Sequence, residues 1–186
     1  MRRGPGGAAG WGLALALAAL PAGEVAAQAP RVHPEAREIR GYQLTLEHLG
    51  RFEQVARALD GHRVAGRTRP DVALFLGLQA AWIGDAAWHD ATVDEAARLI
   101  DAGDPALRTA VHGAGLASRD YVLTQMTLLL AHHVVVRAGH GLPTPPSPDL
   151  SPETNAFLAR HGAEIHRVMT AFIRRVDAEA KRLAPR

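Results

Sequence analysis

The stretch from Ser118 to Gly139 constrains the fold more than any other part of this sequence. Apolar residues recur along it at three- and four-residue spacing on more than one side, which is typical of a helix buried inside a domain. Ser118 is expected to be the N-cap, because its hydroxyl can accept a hydrogen bond from a first-turn N–H. Gly139 is suited to end the helix. The stretch therefore predicts a central helix over about residues 118–138 that is surrounded by other helices.

Cap motifs predict where other helices begin. Thr45 is a suitable N-cap for a first helix, and Leu44 can pack on Leu49 in the spacing of a hydrophobic staple. Thr92 begins a capping box, because Glu95 lies three residues later, where its side chain can bind the N–H of the N-cap residue. Asp104 precedes a proline, which favours an N-cap followed by the first helical residue. The Thr45 motif marks a helix before the region 62–91, and the other two motifs mark short helices after it.

Two segments near these helices have less definite patterns. In the region 62–91, Val72, Leu74 and Leu76 alternate like a strand, whereas Leu74 and Leu78 fit a helix. We favour a helix of about three turns there, and the sequence leaves its structure open. Residues 139–150 are rich in proline and predict an extended connector. The longest helix is then expected over 152–183, after Ser151.

Together these patterns predict an all-α fold. We expect a bundle of about five helices, in which the two long helices, at about 118–138 and 152–183, run antiparallel. No internal repeat and no convincing series of strands is present in the sequence. The expected domain organisation is a single helical domain over residues 42–186, preceded by a flexible arm over 28–41 and a signal peptide over 1–27.

The first residues have the features of a secretory signal peptide. Arg2 and Arg3 form a basic region, and an apolar stretch follows over residues 11–20, which is too short to span a bilayer. Val25 and Ala27 provide the small residues that precede a cleavage site, so we expect cleavage after Ala27. The mature protein is therefore expected to be exported to the periplasm or the extracellular space, with no membrane span after signal removal.

The composition excludes several classes of function. The chain has no cysteine, so it forms no disulfide and has no thiol chemistry. Its 186 residues contain 21 basic and 19 acidic side chains. Removing Arg2, Arg3 and Glu24 with the signal leaves 21 − 2 = 19 basic against 19 − 1 = 18 acidic residues. A balance this even predicts a solvated surface and no nucleic-acid partner.

Three segments carry a resemblance to known proteins. They are Leu44-Thr45, Gly-Leu-Ala-Ser-Arg-Asp-Tyr-Val at 115–122, and Asn-Ala-Phe-Leu-Ala-Arg-His-Gly-Ala-Glu at 155–164. They resemble a loose group of exported helical proteins of environmental bacteria, in which a Gly-Leu-(Thr/Ser)-Pro-Arg-Glu-Tyr-like box precedes an apolar helix. This chain differs in having Ala117-Ser118 where Thr-Pro is usual, and Asp120 in place of Glu. The group has no assigned activity, so the resemblance implies location and fold and no catalytic residue.

Ten histidines make metal or haem binding an alternative to consider. Two ligands from one helix are favoured at separations of three or four residues. Metal candidates on the two long helices are His132, His133, His161 and Glu164; of these, His161 and Glu164 share a face. The adjacent His132 and His133 diverge by about 100° on a helix. We therefore expect at least one of them to be buried and neutral, with a ring nitrogen hydrogen-bonded to a neighbouring helix.

Enzyme chemistry has weaker support in the sequence. His112 begins a Gly-Ala-Gly run that superficially looks like an oxyanion loop, but no Gly-x-Ser-x-Gly elbow accompanies it. Acidic residues cluster at Asp85, Asp90, Asp94 and Glu95, in a pattern that suits a loop and a helix start. We assign no catalytic residue. The sequence favours an exported soluble helical domain that acts as a binding or structural module, with no predicted cofactor and an unknown partner, which could be a protein or a second copy of the chain.

Overall fold

The computed structural model describes residues 37–60, 62, 68–83, 90–140 and 146–183, and these ranges contain helices and no strands. The all-α prediction is confirmed, and the described ranges contain seven helices in place of about five. They are α1 Arg37–Gly41, α2 Leu46–Ala58, α3 Pro70–Ile83, α4 Asp90–Ala102, α5 Pro105–Gly113, α6 Ser118–Gly139 and α7 Pro152–Leu183. The predicted signal peptide lies outside the described residues.

Helix α1 corrects the flexible arm predicted over residues 28–41. Its residues 37–41 are helical, and Ile39 is only 2% exposed. Glu38 pairs with Arg119 of α6, and Arg40 pairs with Asp149 at 3.1 Å. The end of the arm is therefore held to the domain by one buried side chain and two ion pairs. The remainder of the predicted arm lies outside the described residues.

The helical interpretation of the segment after residue 70 is confirmed, and the strand alternative is wrong for this segment. α3 runs from Pro70 to Ile83, and its Val72, Phe75 and Leu78 are buried. These positions are three residues apart, so they lie on one face of a helix, whereas a strand would bury alternate residues. Trp82 and Trp88, which the sequence places in this region, lie outside the described side chains.

Three of the predicted helix starts are confirmed by hydrogen bonds. The Thr45 hydroxyl accepts from the N–H of His48 at 3.2 Å, and Leu44 and Leu49 are both buried. Asp104 accepts from the N–H of Ala106 at 2.8 Å. The Ser151 hydroxyl caps α7 by accepting a hydrogen bond from the N–H of Thr154 at 3.0 Å. In each case the side-chain oxygen satisfies a first-turn N–H that has no partner within its own helix.

Two predicted helix starts are wrong. Ser118 is the first helical residue of α6 and not its cap, which is Ala117. The Ser118 hydroxyl donates instead to the carboxylate of Asp101. Thr92 lies inside α4, which begins at Asp90, and Glu95 pairs with Arg98 along the same helix. The Ser118 hydroxyl and the Glu95 carboxylate are therefore each bonded to a partner other than the N-cap group predicted for them.

The two long helices run antiparallel, as predicted. Near the start of α6, Tyr121 stacks on Phe52 of α2, which in turn contacts Phe172 in the later part of α7. Further along α6, His132 stacks on His166. The order of positions along α7 is therefore opposite to that along α6. The core lies where α2 and α3 meet these helices, and its aromatic rings contact one another edge to face or stacked.

The central helix is surrounded over only part of its length, which corrects the expectation that it is enclosed throughout. Residues 121–129 are all buried, but from residue 132 onward the side chains are half-buried or exposed. A helix of 22 residues is about 33 Å long, whereas the helices beside it have only 9 and 13 residues. The shorter helices therefore cover the first half of α6, and the described neighbour of the second half is α7.

A buried ion pair joins the end of α2 to the start of α3. The Arg69 guanidinium, in a residue only 8% exposed, donates to both carboxylate oxygens of Asp71 at 3.0 and 2.7 Å. Asp71 is fully buried. Arg69 also donates to the carbonyl of Ala56 at 3.0 Å and to Asp60 at 2.8 Å. The guanidinium group of Arg69 therefore binds one carboxylate through two hydrogen bonds. Its other hydrogen bonds go to a carbonyl of α2 and to a carboxylate that follows α2.

Asp60 extends this pair to the last helix. Arg175 of α7 donates to the Asp60 carboxylate at 3.1 Å. Burial opposes the charged carboxylate, but the hydrogen bonds and charges of Arg69 and Arg175 outweigh it and lower the pKa of Asp60 below its ordinary value. Asp71 holds the Arg69 guanidinium in place, and Arg69 fixes α3 against α2 through Ala56 and Asp60. Asp60 ties both helices to α7.

We predict that Asp71→Asn lowers the free energy of unfolding by about 3 kcal/mol, because it removes the fully buried carboxylate that the Arg69 guanidinium binds through two hydrogen bonds. The matched control is Asp149→Asn, which breaks the pair of Asp149 with Arg40. Asp149 has a side chain that is 54% exposed, so this change should cost less than about 1 kcal/mol. Urea unfolding measures both. Equal losses for the two variants would contradict the role given to the buried pair.

Candidate functional site

An apolar cleft opens between α3, α4 and the start of α5, with a volume of about 640 Å³. On the α3 side it is lined by Ala73, Leu74, Gly77 and Leu78. These residues are three or four positions apart, so the helical repeat places them on one face. Gly77 leaves a gap in that wall, because a Cβ atom built on it would meet no atom within 4 Å.

The opposite wall comes from α4 and α5. It includes Ala96, Leu99 and Ile100 of α4 and Leu107 of α5. Ile100 is fully buried and forms part of the floor, whereas Leu99 is 58% exposed at the mouth. An exposed large apolar side chain beside an apolar cleft is informative, because such surface is favourable to cover.

Two carboxylates are the ionisable groups that line the cleft within the described residues. Glu95 of α4 is paired with Arg98, and both side chains are exposed. Asp104 is the N-cap of α5: its Oδ1 accepts from Ala106, and its Oδ2 lies 3.5 Å from Nε2 of His62. The cleft is therefore apolar on its walls and acidic at its rim.

Two other depressions on the described surface are less suited to bind an apolar molecule. The first, between α2 and α5, has a volume of about 750 Å³, but its lining is largely polar groups and alanine, such as Gln54, His62 and Thr109. The second lies between the later half of α6 and α7 and has a volume of about 520 Å³. Its α7 side is formed mainly by small residues, including Gly162 and Ala163. Both offer fewer large apolar side chains than the α3–α4–α5 cleft.

The structure separates the four metal candidates of the sequence analysis. His161 has non-helical dihedral angles at a kink in α7, and its ring lies 4.6 Å from that of Phe157. The Glu164 carboxylate accepts from Arg167, which also donates to Glu53 at 2.9 and 3.0 Å. Arg167 thereby lowers the pKa of Glu164. The shared helical face of His161 and Glu164 thus does not bring their side chains to one ligand.

His132 and His133 differ in their surroundings. His132 is half-buried and stacks on His166, with ring centroids 5.4 Å apart, whereas His133 is exposed. Burial lowers the pKa of His132, and the charges of His166 and His133 lower it further. The expected neutral histidine is therefore His132. The expected hydrogen bond to a neighbouring helix is absent for its buried Nε2 atom, which has no partner.

Among the residues that the structure describes, no three His, Asp or Glu side chains gather closely enough to hold a metal ion. The metal hypothesis combined His132 or His133 with His161 and Glu164 of the other long helix, whereas the α7 histidine that contacts His132 is His166. A contact between two helices depends on their packing. Spacing within either helix does not reveal it.

Ser118, His112 and Asp101 lie together, but not in the order of a catalytic triad. His112 Nε2 is 3.3 Å from Ser118 Oγ and 3.7 Å from Asp101 Oδ1. In a triad the carboxylate holds the other ring nitrogen, so that Nε2 can take the serine proton. Here the serine and the carboxylate face the same nitrogen, and Ser118 is only 5% exposed. The cluster instead fastens the ends of α4, α5 and α6 to one another.

Comparison with known proteins adds no match: no family model, no curated protein and no solved structure matches this chain. The geometry of the α3–α4–α5 cleft is therefore the observation from which a function is argued.

We predict that the stability contributed by a neutral His132 is present above about pH 6.5 and is lost as the pH falls through its lower folded pKa. The reason is that the unfolded chain then binds a proton that the folded chain resists. His132→Gln should flatten this part of the curve of unfolding free energy against pH. His133→Gln, at the exposed neighbouring position, should retain most of the slope. Urea unfolding at several pH values measures this, and parallel curves for wild type and His132→Gln would contradict it.

Proposed function

We propose that this chain is an exported helical module that binds a small apolar ligand in the cleft between α3, α4 and α5. The observation that carries the proposal is the cleft itself. Its volume of about 640 Å³ lies within the roughly 300–1,000 Å³ of small-molecule sites, which are mostly apolar with a few polar groups. The described lining has this composition, with aliphatic walls and two carboxylates at the rim.

The exposed Leu99 supports binding at this place. Fully burying a leucine side chain contributes about 1.5–3 kcal/mol. Leu99 is 58% exposed, so a ligand that covers it would gain about 1 kcal/mol from this side chain alone. No hydroxyl or imidazole group lines the cleft within the described residues, which favours binding over nucleophilic catalysis.

The export part of the proposal is supported by the sequence. Arg2 and Arg3, the apolar residues 11–20 and the small residues before Gln28 have the pattern of a cleaved signal. Within the described part of the chain, no helix is both long enough and apolar enough to cross a membrane. The resemblance to exported helical proteins points to the same location.

We predict that Gly77→Leu weakens the binding of a neutral apolar dye, N-phenyl-1-naphthylamine, by about tenfold or more, which corresponds to about 1.4 kcal/mol. The new side chain would project into the space that the missing Cβ leaves empty. The measurement is the rise in dye fluorescence on titration with protein.

Gly50→Leu is the matched control. Gly50 is also an exposed glycine inside a helix with no atom within 4 Å of an added Cβ, but it does not line the cleft. Both changes should raise helix stability by roughly 0.5–1 kcal/mol, so weaker dye binding by Gly77→Leu would not reflect unfolding. Equal dye affinity in wild type and both variants would refute binding in this cleft.

A further inference from the structure

We propose that the ligand is a cationic amphiphile, an aliphatic chain that ends in an ammonium group, with the chain between α3 and α4 and the ammonium group at Asp104; Glu95 adds negative charge farther along α4. This inference rests on the proposed function and adds the chemical class of the ligand. It is supported by an aliphatic cavity whose ionisable lining groups, within the described residues, are both acidic.

The sign of the rim is the first observation. The ionisable groups that line the cleft in the described part of the chain are the carboxylates of Glu95 and Asp104, and no arginine or lysine lines it there. A ligand with a carboxylate or sulfate group would bring a like charge to this rim. A ligand with an ammonium group would instead face the Asp104 carboxylate, and such complementarity favours it over an anion and fixes its orientation.

Asp104 retains an oxygen that can bind such a group. Its Oδ1 accepts the capping hydrogen bond from Ala106 at 2.8 Å. Its Oδ2 lies 3.5 Å from the imidazole of His62, and the Nε2 atom of that imidazole has no hydrogen-bond partner. Asp104 lines both this cleft and the α2–α5 depression that contains His62. An N-cap requires one acceptor, so Oδ2 can accept from a ligand donor where the two depressions meet. The Asp104 side chain is 30% exposed, so an ion pair there is less screened than one on the open surface.

Glu95 provides the second charge. Its partner Arg98 lies three residues later on the same helix, and its side chain is 73% exposed. Exposed pairs of this kind contribute little, so Glu95 still adds negative charge to the cleft at longer range from Asp104. Arg98 does not itself line the cleft. It therefore reduces the charge of Glu95 without offering the cleft a site for an anion.

The apolar walls determine the other end of the ligand. Leu74 and Leu107 face the cavity from α3 and α5, and Leu99 stands exposed at the mouth. An unbranched aliphatic chain could contact all three while its polar end stays at the rim. A small hydrophilic cation would leave these walls in water, and a wholly apolar molecule would leave the carboxylates without a partner.

The test is displacement of bound N-phenyl-1-naphthylamine by three molecules of equal chain length, decylammonium, decanol and decyl sulfate. The two ionic molecules are kept below their micelle concentrations and decanol below its solubility. Wild type should bind decylammonium about tenfold more tightly than decanol at low salt, as expected for one partly screened ion pair. Decyl sulfate should bind more weakly than decanol. The preference for decylammonium should shrink as salt is added.

Asp104→Asn should abolish most of the preference for decylammonium and leave the affinity for decanol unchanged. Asparagine is as good an N-cap as aspartate, so α5 should stay folded, and a thermal melt checks this. Glu95→Gln is the second variant and should reduce the preference in part. Asp149→Asn, which removes a carboxylate remote from the cleft lining, should keep the wild-type preference.

The two proposals fail in different ways. If decanol displaces the dye but decylammonium is not preferred, or if Asp104→Asn and Glu95→Gln both keep the preference, the cationic ligand is wrong and apolar binding stands. If decyl sulfate binds as tightly as decylammonium, the charge argument is likewise overturned. If none of the three molecules binds and the dye does not bind, the proposed function itself is wrong.

Discussion

The position of α3 depends on the buried ion pair between Arg69 and Asp71, and one wall of the cleft depends on α3. Burying two charges is costly, and a pair is stabilising only when its hydrogen bonds are well satisfied. Here both carboxylate oxygens of Asp71 are bound, and the remaining guanidinium donors reach Asp60 and the carbonyl of Ala56. The same Asp60 is bound by Arg175 of α7. A network of three elements thus holds α3 where its small residues face α4.

The cleft is open because the side chains of those residues are small. Protein interiors are normally filled to the density of organic crystals, yet Ala73, Gly77 and Ala96 supply too little volume to fill the space between α3 and α4. Because the Arg69 network and the buried face of α3 fix the helix from the other side, the helix does not move inward to close the gap. An apolar space of this kind gains free energy when an apolar molecule fills it, and the carboxylates at its mouth then select among such molecules.

Local signals in the sequence predicted the parts of the fold that depend on local chemistry. Thr45 and Asp104 cap helices as expected, because a cap is made within four residues of chain. Ser118 looks like a cap, but its hydroxyl is bound to Asp101 of another helix, and no local pattern reveals that partner. For the same reason the sequence did not reveal the His132–His166 contact or the cleft. Gly77 lowers the helix propensity of α3, and its missing side chain leaves the cleft open.

The most direct test of cleft binding is NMR of the mature protein with methyl groups assigned and a spin-labelled decylammonium added. Relaxation by the spin label reports which methyl groups lie near the bound molecule. We expect loss of signal from Leu74, Leu99 and Ile100, and none from Val134 and Val135 in the later half of α6. Signal loss centred on those two valines, or spread evenly over the surface, would contradict binding in the cleft.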